Sequence, residues 1–122
     1  MNGDRLERIR EQLRDFAAQR DWEQFHDPKN LAMAVASEAG ELLAEYRWVA
    51  NGEADAWSSD PANHERVALE AADVGIALLM FCDRTGVDLL EAIERKIEIN
   101  RGNYPVEAIR GKSERPPARG RR

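Results

Sequence analysis

Residues 27–49 read DPKNLAMAVASEAGELLAEYRWV, and this stretch decides the fold. Asp27 followed by Pro28 is a helix start, an N-cap side chain before a residue suited to the first helical position. Leu31, Ala34, Val35, Glu38 and Leu42 then recur at three- and four-residue steps along one stripe, so the spacing predicts a helix to about Val49, ended by Asn51-Gly52. Working outward, Leu6, Ile9, Leu13, Phe16 and Ala17 mark a first helix over about 4–19. Asp60-Pro61 repeats the start signal for a third helix that ends at Gly86. Asp88 with Glu91 forms a capping box for a fourth, over about 88–101. No stretch alternates with a period of two, so the expected fold is all-α, a four-helix bundle.

The chain has 122 residues, 43% hydrophobic and 34% charged, which suits one globular domain. The longest apolar run, Val74 to Cys82, has nine residues, too few to span a bilayer, and the charged start does not read as a secretory signal. A single cysteine, Cys82, excludes an internal disulfide, argues against a cysteine zinc site and fits a reducing cytoplasm. It is best read as a small buried hydrophobe.

The net charge of −5 conceals a division. Residues 110–122 carry six basic groups against Glu114 alone, and their Gly, Pro and Ser content reads as a flexible basic tail. Residues 1–109 form the expected domain and carry −10, with nine acids against Arg47 and Arg66 between Glu38 and Asp73. Such a body repels nucleic-acid polymers, so a phosphate-bearing partner needs metal ions as mediators.

Glu38 and Glu41 on the second helix, and Glu70 and Asp73 on the third, are acid pairs at i, i+3, one turn apart and about 60° around the axis. Both pairs interrupt apolar stripes, the second among Val67, Val74, Ala77 and Phe81. Like charges beside a core need protonation, cationic partners or a metal, and basic partners are scarce there. Oxygen ligands suit a hard cation, so Mg²⁺ is the expected cofactor. A di-iron site would need Glu-x-x-His on two helices, a spacing that His26 and His64 do not provide.

Glu38-x-x-Glu41, 28 intervening residues and Glu70-x-x-Asp73 resemble the paired motif of the MazG-like nucleoside triphosphate pyrophosphohydrolases. Asp21-Trp22-Glu23-Gln24-Phe25-His26, Tyr46-Arg47-Trp48, Asn51-Gly52-Glu53 and Ile99-Asn100-Arg101 with Tyr104-Pro105 are similar to the dCTP pyrophosphatase branch of that family. The resemblance covers roughly residues 5–107. It implies Mg²⁺-dependent cleavage of a nucleoside triphosphate to monophosphate and pyrophosphate, with Mn²⁺ as a possible substitute. Glu38, Glu41, Glu70 and Asp73 would be the metal ligands, and Glu38 or Glu41 the group that orients or deprotonates water. Trp22, His26 and Trp48 match base-site positions, although tryptophans in small bundles also serve as packing.

Lys96 and Asn100, a turn apart on the fourth helix beside Ile93 and Ile97, suit phosphate or metal-bound water, as well as a solvated face. Trp57, in the link before the third helix, suits packing or an interface.

Two departures bear on substrate. Ala77 stands where dCTP-preferring relatives tend to carry tyrosine, and Leu13 where they carry histidine. Deoxypyrimidine triphosphates, dCTP or a modified form first, are the expected substrates, with dUTP, phosphoribosyl-ATP or a non-catalytic nucleotide-binding module as alternatives. Apolar residues around the third helix, including Leu69, Ile76 and Leu79, imply a homo-oligomer, and the resemblance implies a dimer or tetramer.

Overall fold

Three aspartates set where the long helices begin. In the computed structural model, which describes residues 2–112, the Asp27 carboxylate accepts from the Asn30 amide at 3.0 Å. Asp60 accepts from Ala62 N at 3.1 Å, and Asp88 from Glu91 N at 3.1 Å. Each bond satisfies an amide that the first turn leaves unpaired, a contribution of about 1 kcal/mol. Pro28 and Pro61 follow their caps at the helix start, where the missing N–H costs nothing.

The helices are α1 (Asn2–Gln19), α2 (Pro28–Glu45), α3 (Ala54–Ser59), α4 (Pro61–Thr85), α5 (Leu89–Asn103) and α6 (Val106–Ile109), with 3₁₀ turns at Glu23–Phe25 and Asn51–Glu53. Every regular element among the described residues is helical, as expected, and four of the helices are long. Gly86 ends α4 at φ 75°, the left-handed conformation a glycine adopts without strain. The capping box of α5 forms only in half, because Glu91 pairs with Arg95 at 3.6 Å.

One boundary differs from the sequence reading. Helix α2 stops at Glu45 rather than Val49, and the chain tightens through Tyr46 N to Leu43 O (3.0 Å) and Arg47 N to Ala44 O (3.2 Å). Tyr46 is drawn toward α3, where its hydroxyl lies 2.6 Å from Ser58 Oγ and its ring 4.9 Å from that of Trp57. Trp57 is therefore on a helix rather than in a polar link, and it packs. Asn51 and Gly52 form a 3₁₀ turn instead of breaking a helix.

The chain divides into two units, Met1–Val87 and Asp88–Arg122. In the first, α2 and α4 share the most extensive packing, and α1 and α3 also lie against α4. Arg66 near the start of α4 bonds Glu45 at the end of α2 (3.2 Å), so the two helices run antiparallel. Arg10 and Arg14 of α1 converge on Asp83 of α4, with Arg14 Nη2 at 2.6 Å and Arg10 Nη2 at 3.1 Å. These donors, Arg14 foremost, hold the Asp83 carboxyl below its ordinary value.

The core is small: Ala17, Leu31, Ala77 and Cys82 are buried. Burial pushes the Cys82 thiol up, as for an inert packed cysteine. Met33, Leu43 and Leu69 remain exposed, the last two at 72% and 60%. In the second unit, α5 carries Lys96, exposed, and Asn100, half-buried, while Ile93 and Ile97 stay largely exposed. From residue 113 onward the expected basic tail lies outside the described residues.

Candidate active site

The antiparallel pairing of α2 and α4 turns two sequence motifs into one constellation. Glu38, Glu70 and Asp73 each offer a carboxylate oxygen, and the three lie within 4.8 Å of one another. Glu38 and Glu70 are half-buried and Asp73 is exposed. Among the described residues no cation pairs with any of them. Desolvation pushes the Glu70 carboxyl above its ordinary value, and the charges of Asp73, Glu41, Glu45 and Glu38 push it the same way. An uncompensated group of oxygen donors fits a hard divalent cation, which would relieve both the repulsion and the lost hydration. Glu41, one turn beyond Glu38, is exposed and stands outside the trio, although its charge reaches Glu70.

Beside these carboxylates opens a cleft of about 390 Å³, whose lining comes from the first unit alone. Glu38 and Asp73 belong to it, with Phe16, Trp22, Phe25, His26 and Asn30 from α1, the turn after it and the start of α2. Ala34, Ile76, Ala77 and Met80 supply an apolar floor between them. Asn30, Ala34 and Glu38 follow at i, i+4, i+8, so the aromatic region and the acids are separated by about 12 Å of helix axis.

Trp22 is placed by the way α1 ends. Asp21 adopts the left-handed conformation at φ 56°, Asp21 N donates to Ala18 O (3.1 Å) and Trp22 N reaches back to Ala17 O (3.0 Å). This is a Schellman closure with aspartate where glycine is usual. Gln24 Nε2 braces it through Asp21 O (2.9 Å) and Oδ2 (3.2 Å). The Trp22 ring then meets Phe16 edge-on at 5.7 Å, leaving it 45% exposed to the cleft and solvent. His26 is half-buried and also lines a second pocket of about 90 Å³ beside Arg10, Arg14 and Asp83.

Other expected contacts lie elsewhere. Trp48 sits in the turn after α2, 89% exposed, and takes no part in the cleft lining. Lys96 and Asn100 are on α5 of the second unit. Leu13 and Ala77, the two departures, both line the cleft. Phe16, Asn30, Ile76 and Met80 line it without having been assigned a site role, and Phe25 lines it as part of the motif that carries the resemblance. The signal for Asn30 was available, because it falls two turns before Glu38 on the same face.

Residues 33–115 match the MazG-like family, a span that includes both acid pairs. The chain belongs to the MazG-like family. Among MazG-like relatives, it is 41% identical over 108 residues to human dCTP pyrophosphatase 1, covering 88% of this chain and 64% of that protein. It is 44% identical over 110 residues to dCTP pyrophosphatase 1 of Bos taurus, covering 87% of this chain and 63% of that protein. It thus spans less than two thirds of these curated relatives. The crystal structure of a pyrophosphatase from Archaeoglobus fulgidus superposes with a TM-score of 0.76 at 35% identity, covering 83% of this chain and 93% of the other.

Proposed function

We propose that the cleft binds a nucleoside triphosphate, dCTP or a modified dCTP first, and that the protein hydrolyses it to the monophosphate and pyrophosphate. The observation that carries this reading is the meeting of three carboxylate oxygens within 4.8 Å beside an aromatic-lined cleft. The pyrophosphatases to which the chain is similar support the reaction class. Residues 1–109 are taken as the working domain and 110–122 as a tail.

Glu38, Glu70 and Asp73 would hold Mg²⁺ or Mn²⁺, with Glu41 as a fourth carboxylate. When bound, the ion would neutralise the triphosphate and polarise the scissile phosphorus. Water attacks that phosphorus, the bond between the α and β phosphates breaks, and pyrophosphate leaves. Glu38 or Glu41 would orient the water or take its proton. Trp22 and Phe25 present ring faces to a base, and His26 a hydrogen-bonding edge. Lys96 and Asn100, on α5 of the second unit, are proposed as phosphate-binding side chains from their chemistry alone.

Trp48, exposed and outside this cleft, is proposed to contact a nucleotide held by a neighbouring copy. Exposed Leu43 and Leu69 favour the same conclusion, a dimer or tetramer. No helix among the described residues is long and apolar enough to cross a membrane, and a lone free cysteine suits the cytoplasm.

The test is pyrophosphate release from canonical and modified nucleotides with Mg²⁺ or Mn²⁺, run beside Glu41→Gln. Release is expected fastest from dCTP or its modified forms, to be abolished by chelation, and to fall by about 10²–10⁴ in the variant with its helical content unchanged. Faster turnover of purine triphosphates rejects the base assignment. Binding of dCTP without pyrophosphate release points instead to a nucleotide sensor.

A further inference from the structure

We infer that Asn30 reads the base, accepting a hydrogen bond from an exocyclic amine and so selecting aminopyrimidine over oxopyrimidine nucleotides. The inference rests on the proposed binding of a nucleoside triphosphate in the cleft. It starts from a count of what the cleft offers. Away from the carboxylates, the lining side chains that can accept a hydrogen bond are His26 and Asn30; Trp22 adds only an indole donor, and the rest of the wall is apolar. Leu13 and Ala77 contribute no hydrogen-bonding group to it. Discrimination between two bases of the same shape has to come from the few polar atoms present.

Asn30 is oriented by its surroundings. Its backbone amide is held by the Asp27 carboxylate at 3.0 Å, and its Nδ2 donates to Phe25 O at 3.1 Å. Rotating the carboxamide by half a turn would bring Oδ1 against that carbonyl, two acceptors facing one another, so the amide is locked with Nδ2 engaged. Oδ1 is left as an acceptor with no protein partner among the described residues. A locked acceptor gains a hydrogen bond from the exocyclic amine of cytosine and faces lone-pair repulsion from the carbonyl oxygen of uracil. His26 cannot make that distinction alone, because a neutral imidazole presents one donor and one acceptor and can exchange them. Asn30 also lies two helical turns before Glu38 on the same face of α2, so one helix carries both the base contact and a metal ligand.

The test compares dCTP with dUTP in the wild type and in Asn30→Ala, by kcat/KM for pyrophosphate release and by affinity for the non-hydrolysable α,β-imido analogues. The wild type is expected to prefer the amino base by about tenfold or more, and Asn30→Ala to bring the ratio close to unity. If Asn30 merely ties Phe25 to α2, the variant weakens both nucleotides together and leaves the ratio unchanged, which overturns the assignment. A wild type that binds both analogues alike overturns it as well. Absent turnover with an Asn30-dependent preference for the dCTP analogue sinks the hydrolase reading and upholds the role of Asn30.

Discussion

The two regions of the candidate site, the carboxylates and the aromatic wall of the cleft beside them, are fixed by different means. Glu38, Glu70 and Asp73 sit in the middle of α2 and α4, where the packing of two long helices sets their separation. Trp22, Phe25 and His26 sit on the eight-residue connection 20–27 between α1 and α2, held by a Schellman closure, one 3₁₀ turn and the Gln24 brace. The first region carries electrostatic strain, which a bound cation would relieve. The second carries little strain and depends on a few local hydrogen bonds. Substitutions in the acids should therefore change chemistry and stability in opposite directions, whereas substitutions in the connection should change binding with little effect on chemistry.

The largest effect is expected from Glu70→Gln. In the metal-free protein the folded Glu70 carboxyl titrates above its unfolded value of 4.5, so the folded state holds its proton longer. Stability is then lost as pH rises from about 4.5 through the folded value. Glu70→Gln removes that loss, raising the metal-free melting temperature at pH 7 while pyrophosphate release falls by about 10² or more. A variant that melts lower than wild type without metal would break the comparison, because the acids would then not be strained. The gain in melting temperature on adding Mg²⁺ should shrink in the same variant.

Next in size is Trp22→Ala. Loss of a stacking ring costs about 1–3 kcal/mol, so KM should rise about tenfold with kcat little altered. A fall in kcat of the same size would mean that the connection also positions the reacting phosphates.

A smaller effect is expected from Asp83→Asn, which loosens the tie between α1 and α4 on which the aromatic wall rests. Removing a charge that receives Arg10 and Arg14 should cost about 1–2 kcal/mol in urea denaturation. Because the folded Asp83 carboxyl titrates below its ordinary 3.8, its contribution is present above that pH and lost as pH falls through the folded value. The variant should accordingly show a flatter acid limb.

The smallest is Asp21→Gly. Glycine accepts the left-handed conformation without strain but forfeits the bond from Gln24 Nε2 to Asp21 Oδ2. The two effects nearly offset, leaving stability within about 0.5 kcal/mol of wild type. A rise in KM would sharpen the comparison by assigning the Gln24 brace to the placement of Trp22.

What could be read before any coordinates follows the reach of each signal. Helix starts at Asp27, Asp60 and Asp88 were legible because a cap acts within three residues. The end of α2 was not, because Tyr46-Arg47-Trp48-Val49 contains no breaker and the helix yields to a distant partner, the Tyr46 contact with Ser58 and Trp57. The acids were legible as two pairs, each on its own helix. That Glu38 meets Glu70 and Asp73 while Glu41 stands aside depends on how α2 and α4 are rotated against each other, which no single-helix spacing contains. Trp22 was recognisable by resemblance, whereas the wall that Phe16 and Asn30 share with it depends on how α1 and α2 meet, although the spacing from Asn30 to Glu38 already put those two on one face.

The small core has a consequence for how such a protein can change. Of the four buried residues among those described, Ala17, Leu31 and Ala77 also line the cleft or the smaller pocket beside it, and Leu31 lines both. Among the described residues of the first unit, almost no interior is separate from the working surface. A substitution that reshapes the cleft for a different base therefore alters packing in the same stroke, and one that repairs packing alters the cleft. Substrate preference and thermal tolerance in this lineage cannot drift independently, and the replacements found at positions 13, 31 and 77 should come as correlated sets rather than singly.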